Sequence, residues 1–110
     1  MFGLKGMGDM MKLFGQREKI MENVEQAKVR ARARTVVGEA GAGMVKVTAN
    51  GLGDLVGVTF DPEALKDPES LGTLIVAASN VALAKSKDIM TEEFRTAFGG
   101  IDIPPGILGS

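Results

Sequence analysis

The chain has 110 residues, a formal net charge of −1 at pH 7, and no cysteine, histidine, tryptophan or tyrosine. This length is typical of one domain. A chain without cysteine or histidine has no disulfide, thiolate nucleophile, imidazole base or ordinary zinc site, so we expect no enzyme, no metal and no cofactor. Because we find no run of about 18 apolar residues and no signal-peptide pattern, we expect a cytoplasmic protein that does not contact membranes.

The basic residues are concentrated in the first third of the chain. Residues 1–35 contain eight lysines and arginines against four acidic residues, whereas residues 36–110 contain five against ten. The two parts therefore carry net charges of +4 and −5. Such an asymmetry predicts a basic arm on an acidic body.

The first fifteen residues contain four glycines and four methionines. Such a terminus disfavours a packed element, so we predict a flexible N-terminal lead-in over residues 1–15 and a single domain over 16–110. Helical periodicity begins near Gln16, and its apolar positions recur at spacings of four, three and four: Ile20, Val24, Ala27 and Ala31. This narrow stripe is typical of a two-helix seam, so the helix should project from the body or pair with a copy of itself.

Three short β-strands are predicted after this helix. The β-branched residues 35–37 begin the first, the alternating residues 44–49 form the second, and residues 55–60 form the third. A glycine-rich turn over residues 38–43 joins the first two strands. The pattern predicts a three-stranded antiparallel sheet with one covered face.

A long second helix is predicted from its start signals. Asp67 fits the N-cap position, Pro68 the first helical position and Glu69 the first turn. The apolar stripe then continues for about 30 residues, far beyond the mean helix length. Three short strands cannot cover such a helix, so we expect a dimer partner to cover its distal half, which contains Phe94 and Phe98. The predicted fold is α+β: a projecting N-terminal helix, a three-stranded antiparallel sheet and a long C-terminal helix, in a symmetric dimer.

Four segments of the chain resemble the YbaB/EbfC family in order and spacing. They are the glycine-rich block at residues 39–51, Val58-Thr-Phe-Asp-Pro62 with Leu65, Ala77-Ala-Ser-Asn80, and Ile103-Pro-Pro-Gly106. The resemblance covers residues 35 to 106. It implies a bacterial nucleoid-associated protein that forms homodimers with protruding helices and binds DNA with little or modest sequence preference. It also implies a nucleoid location and a possible partner among repair or recombination proteins.

The strongest candidate site is the alternating run Lys28, Arg30, Arg32 and Arg34. In an extended chain all four side chains would lie on one face and span about 20 Å, at 3.3 Å per residue. In a helix they would form the pairs 28/32 and 30/34 on different faces. Either arrangement concentrates positive charge where the arm meets the sheet. Three further basic residues could extend the DNA-binding patch: Lys12, Arg17 and Lys19.

The alternative is that this run forms an ordinary solvated face, with its charges balanced by Glu22, Glu25 and Glu39. We favour DNA. The predicted function is binding of double-stranded DNA, mainly through the phosphate backbone, with effects on nucleoid organisation and gene expression. If all four residues of both protomers contact phosphates, the log–log salt slope should be about −7. The competing hypothesis is a protein-interaction module that acts with DNA repair or recombination factors.

Overall fold

Two 30-residue helices flank a three-stranded sheet along the chain. The structure, a computed structural model, describes the backbone of residues 4–98 and the side chains of residues 17–98. The elements are helix α1 (Leu4–Ala33), strands β1 (Thr35–Ala40), β2 (Val45–Asn50) and β3 (Leu55–Phe60), a 3-10 turn (Pro62–Lys66), and helix α2 (Pro68–Ala97). This α+β order confirms the predicted elements.

Helix α1 begins at Leu4, twelve residues before the predicted start at Gln16. It continues to Ala33, so the basic run adopts the helical alternative rather than the extended one. The division of the chain into a lead-in and a domain stays a prediction. The 103–106 segment of the resemblance lies outside the described residues.

The sheet is an antiparallel meander in the order β1-β2-β3. The predicted turn over residues 38–43 was placed too early, because β1 continues to Ala40. Positive φ angles occur at Gly41, Ala42 and Gly43, and these residues make the actual turn. Gly38 has a different role: a Cβ atom there would collide with the backbone of Ala78 and Ala82. This glycine therefore lets α2 approach β1 closely.

The core lies between α2 and the first two strands. Alternate residues of β2 face the helix and are fully or almost fully buried, as are two alanines of α2: Val45, Val47, Ala49, Ala78 and Ala82. All six residues of β3, by contrast, are exposed. The helix thus covers two strands and leaves the third uncovered.

The start of α2 follows the predicted capping pattern. The Asp67 carboxylate accepts hydrogen bonds from the Ser70 backbone N–H at 3.2 Å and from the Ser70 hydroxyl at 2.8 Å. These bonds hold the pKa of Asp67 below its ordinary value. Pro68 occupies the first turn, where its missing N–H costs nothing. The cap fixes where the helix begins and therefore which of its residues face the sheet.

The distal half of α2 packs against α1 of the same chain. Ala27 and Ala31 are completely buried in this contact region, and Ile89 and Ala97 of α2 are nearly so. The Asn23 side-chain amide donates to the Ala97 carbonyl at 3.4 Å, and Arg30 further along α1 contacts Glu93 earlier in α2, so the two helices run antiparallel. The alanine seam of α1 covers part of this half within the same chain, while Phe94 and Phe98 are half-buried, so the cover of this half by a dimer partner stays a prediction. Residues of α1 before Asn23 project past the last residue of α2.

Gly38→Ala should destabilise the protein by about 3 kcal/mol, since a methyl group there meets helix backbone that cannot rotate away. Gly72→Ala is the matched control, because a Cβ at that exposed helical position meets nothing within 4 Å. It should be neutral or stabilise by up to about 1 kcal/mol. Urea unfolding followed by circular dichroism measures both, and equal stabilities would contradict the close-approach role of Gly38.

Candidate nucleic-acid interface

The basic residues of α1 lie on two flanks of the helix. Residues four apart share a face, as do residues eleven apart, because eleven residues make about three turns. Arg17, Lys28 and Arg32 therefore lie along one flank, which we call the outer stripe. Lys19 and Arg30 lie along the other, and Arg34 follows it at the end of the helix. Lys12 lies in α1, but its side chain is outside the described ones.

Two of the four predicted residues are held by carboxylates of α2. The Arg30 Nε–H donates to Glu93 Oε2 at 2.7 Å, and Arg34 Nη1 donates to Glu93 Oε1 at 3.0 Å. Arg34 Nη2 also donates to Glu92 Oε2 at 3.3 Å. We call these four residues the clasp. Its two guanidinium groups and two carboxylates give it no net charge.

The clasp perturbs the ionisation of its members. The hydrogen bond from Arg30, followed by that from Arg34, holds the pKa of Glu93 below its ordinary value, although burial opposes this shift. The hydrogen bonds to Glu93 and Glu92 raise the pKa of Arg34. The Glu93 side chain is only 13% exposed, while the two arginines are 41–44% exposed. The carboxylate is thus the covered centre of the cluster, and it stays ionised at neutral pH.

The outer stripe is more open. Lys28 Nζ lies 3.2 Å from Glu25 Oε1, with side-chain exposures of 44% and 72%. Such exposed pairs contribute about 0.2–1 kcal/mol and give way easily. Arg17 and Arg32 are exposed and form no ion pair with any side chain of residues 17–98. The outer stripe therefore presents cations to solvent that a phosphate group can reach.

Of the three acids expected to balance the basic run, only Glu25 forms an ion pair with it, through Lys28. Glu39 instead lies 3.6 Å from Lys46, and Glu22 forms no ion pair within residues 17–98. Sequence reasoning missed Glu92 and Glu93, because they follow Arg34 by almost 60 residues. The matching seams on α1 and α2 were the available signal: two narrow apolar stripes in antiparallel helices bring these residues together.

An open groove of about 300 Å³ lies between β3 and α2. Its lining is largely apolar and includes Leu55, Val56, Val58, Ile75 and Ser79. In the part of the chain that the structure describes, no three metal-ligating side chains form a cluster. No described helix is both long and apolar enough to cross a membrane. The groove offers an apolar contact surface.

The fold and this surface define a class: a small α+β protein with a cationic helical arm. The chain belongs to the YbaB/EbfC DNA-binding family, whose sequence model matches residues 7–101. This finding confirms the resemblance seen in the sequence.

Named relatives match over most of their length. The chain is 42% identical to a nucleoid-associated protein of Moorella thermoacetica over 101 residues, which are 90% of this chain and 97% of the relative. It is 41% identical to a nucleoid-associated protein of Chlorobium phaeobacteroides, covering 84% of this chain and 81% of the relative. The crystal structure of an uncharacterized Helicobacter pylori protein is similar with a TM-score of 0.68 and 25% identity, covering 79% of this chain and 90% of that one.

Low pH should lower the free energy of unfolding by protonating Glu93. Because the folded-state pKa of this carboxyl is depressed, its contribution to stability is complete above the ordinary value of 4.5 and is lost as pH falls through the folded-state pKa. Glu93→Gln removes that contribution, so the free energy of unfolding should fall by about 1 kcal/mol at pH 7 and depend less steeply on pH below 4.5. Urea titrations at several pH values measure this, and parallel pH profiles for both proteins would contradict it.

Proposed function

We propose that the protein is a nucleoid-associated protein that binds double-stranded DNA, mainly through the phosphate backbone and with little sequence preference. Family membership and the names of the relatives support DNA as the partner. The observation that carries the proposal is the outer stripe, where exposed cations line one flank of a projecting helix. Arg17 and Arg32 are fifteen residues apart, which is about 22 Å along a helix.

The mechanism is counterion release. Lysine and arginine that neutralise phosphates release condensed cations from DNA, and this term carries no sequence information. The net charge of −5 on residues 36–110 repels DNA, so the arm is the part of the chain suited to contact it. We assign the contacts to Lys28 and Arg32, with Lys12, Arg17 and Lys19 extending the patch. Arg30 and Arg34 would add to them only on leaving their carboxylate partners Glu92 and Glu93. Binding of this kind would place the protein in the nucleoid.

The sharpest test removes charge from the outer stripe and leaves the clasp intact. In fluorescence anisotropy with a labelled 30-base-pair duplex, Lys28→Gln/Arg32→Gln should make the log–log salt slope shallower by about 4 for a dimer, because each lost phosphate contact removes about 0.9. Lys46→Gln/Lys66→Gln is the matched control: it removes two cations that pair with acids on the body, so its slope should equal that of the wild type.

Two outcomes would change the assignment. A wild-type protein that fails to bind the duplex even at low salt would overturn DNA binding and favour the protein-interaction module acting with repair or recombination factors. Equal slopes for the wild type and the outer-stripe variant would place the DNA contacts elsewhere. Apolar docking of a protein partner should persist at salt concentrations that abolish backbone binding.

We also propose that the protein works as a symmetric homodimer joined through β3. Large apolar side chains of this strand are exposed, with Leu55 at 49%, Val58 at 47% and Phe60 at 41%. Val58 and Phe60 pair with the buried Val47 and Val45, so they extend the apolar face of the sheet beyond the reach of α2. A second copy that covers this face would bury it and would supply a second arm for DNA.

Val58→Glu should shift the protein to monomers in sedimentation velocity. Burying the new carboxylate in an apolar interface, with no cation to pair with it, costs more than the contact gains. Thr59→Glu is its control: it lies on the opposite face, across from Lys46, and should leave the dimer intact. Loss of the dimer should also halve the salt slope for DNA. A wild-type protein that sediments as a monomer would overturn the dimer without affecting DNA binding by the arm.

A further inference from the structure

The clasp occupies the same guanidinium groups that the basic run offers to phosphates. We propose that Glu92 and Glu93 withhold Arg30 and Arg34 from DNA, and so set how many phosphates the arm neutralises. This inference rests on the proposed DNA binding. It assigns to the two carboxylates the role of internal competitors for the arm's own arginines.

The geometry of the clasp favours retention of the arginines. Arg34 directs Nη1 to Glu93 and Nη2 to Glu92, at 3.0 and 3.3 Å. Arg30 uses Nε at 2.7 Å on the same Glu93. A phosphate that binds Arg34 through these two N–H groups must compete with two carboxylates, one of which is only 13% exposed. Hydrogen bonds between ionised groups are the strong ones.

Charge leads to the same conclusion. Counterion release depends on cations that are not already neutralised by the protein. The two arginines and two glutamates of the clasp sum to zero, so their approach to DNA releases few counterions. The Lys28–Glu25 pair differs, because its carboxylate is 72% exposed and pairs with no second cation among residues 17–98. Lys28 and Arg32 are therefore available to DNA, whereas Arg30 and Arg34 are held back.

Removing the competing charges should steepen the salt dependence. In the same anisotropy titration, Glu93→Gln should make the log–log slope steeper by about 2 for a dimer, and Glu92→Gln/Glu93→Gln by about 4. Affinity at 0.15 M salt should rise accordingly. Glu18→Gln/Glu22→Gln is the control, with an equal charge change on exposed α1 residues that form no ion pair within residues 17–98. It should leave the slope unchanged, since it frees no cation.

The results would test competition by the clasp and DNA binding separately. Wild-type binding with equal slopes for all variants would overturn the competition and leave DNA binding standing. A wild-type protein that does not bind would overturn both. If the control steepened the slope as much as the clasp variant, the change in net charge rather than the release of the arginines would be responsible, and the inference would fail.

A second measurement needs no DNA. Phenylglyoxal modifies guanidinium groups that are not engaged, and mass spectrometry of the digested protein gives the rate at each arginine. In the wild type, Arg32 should react several-fold faster than Arg30 and Arg34. In the folded Glu92→Gln/Glu93→Gln variant, the three arginines should be modified at similar rates. Equal rates in the wild type would show that the carboxylates do not hold the arginines, and would overturn the proposal.

Discussion

The close approach that small residues allow along α2 determines the rest of the structure. At one end, Ala78 and Ala82 pack onto β1 where Gly38 has no side chain. At the other, Ala27 and Ala31 bring α1 against the same helix. Because interhelical distance follows the size of the contacting side chains, these positions fix both the sheet and the arm. One continuous helix thus sets the arm's orientation relative to the body.

The electrostatic organisation follows from that arrangement. Antiparallel packing places the acidic pair Glu92 and Glu93 beside the last turn of α1, where two arginines become part of the helix contact. Within residues 17–98 the opposite flank of α1 has no such neighbour from α2, and its cations are exposed. A chain that is slightly acidic overall therefore presents positive charge on one surface of a projecting helix. Net charge alone would have argued against nucleic acid, whereas its distribution favours it.

Local signals in the sequence located most of the elements. Asp67 and Pro68 marked the start of α2, and alternation marked β2 and β3 correctly to within a residue. Two of the errors concern glycines. Gly38 was read as part of a turn because a glycine is most often explained by local backbone conformation, yet its reason lies in α2, forty residues away. The start of α1 was missed because glycines lower helix propensity without forbidding a helix.

The sequence by itself determined the fold class and the four cations at the end of the arm, because periodicity, capping and charge order are local properties. The family followed from the resemblance of four sequence segments to it. Only the tertiary structure decided which of those cations are engaged. Lys28 and Arg32 have the same charge and spacing as Arg30 and Arg34, so nothing in the run distinguishes the pairs. The difference arises because α2 folds back and brings carboxylates from about 60 positions away to one flank of α1 and not to the other.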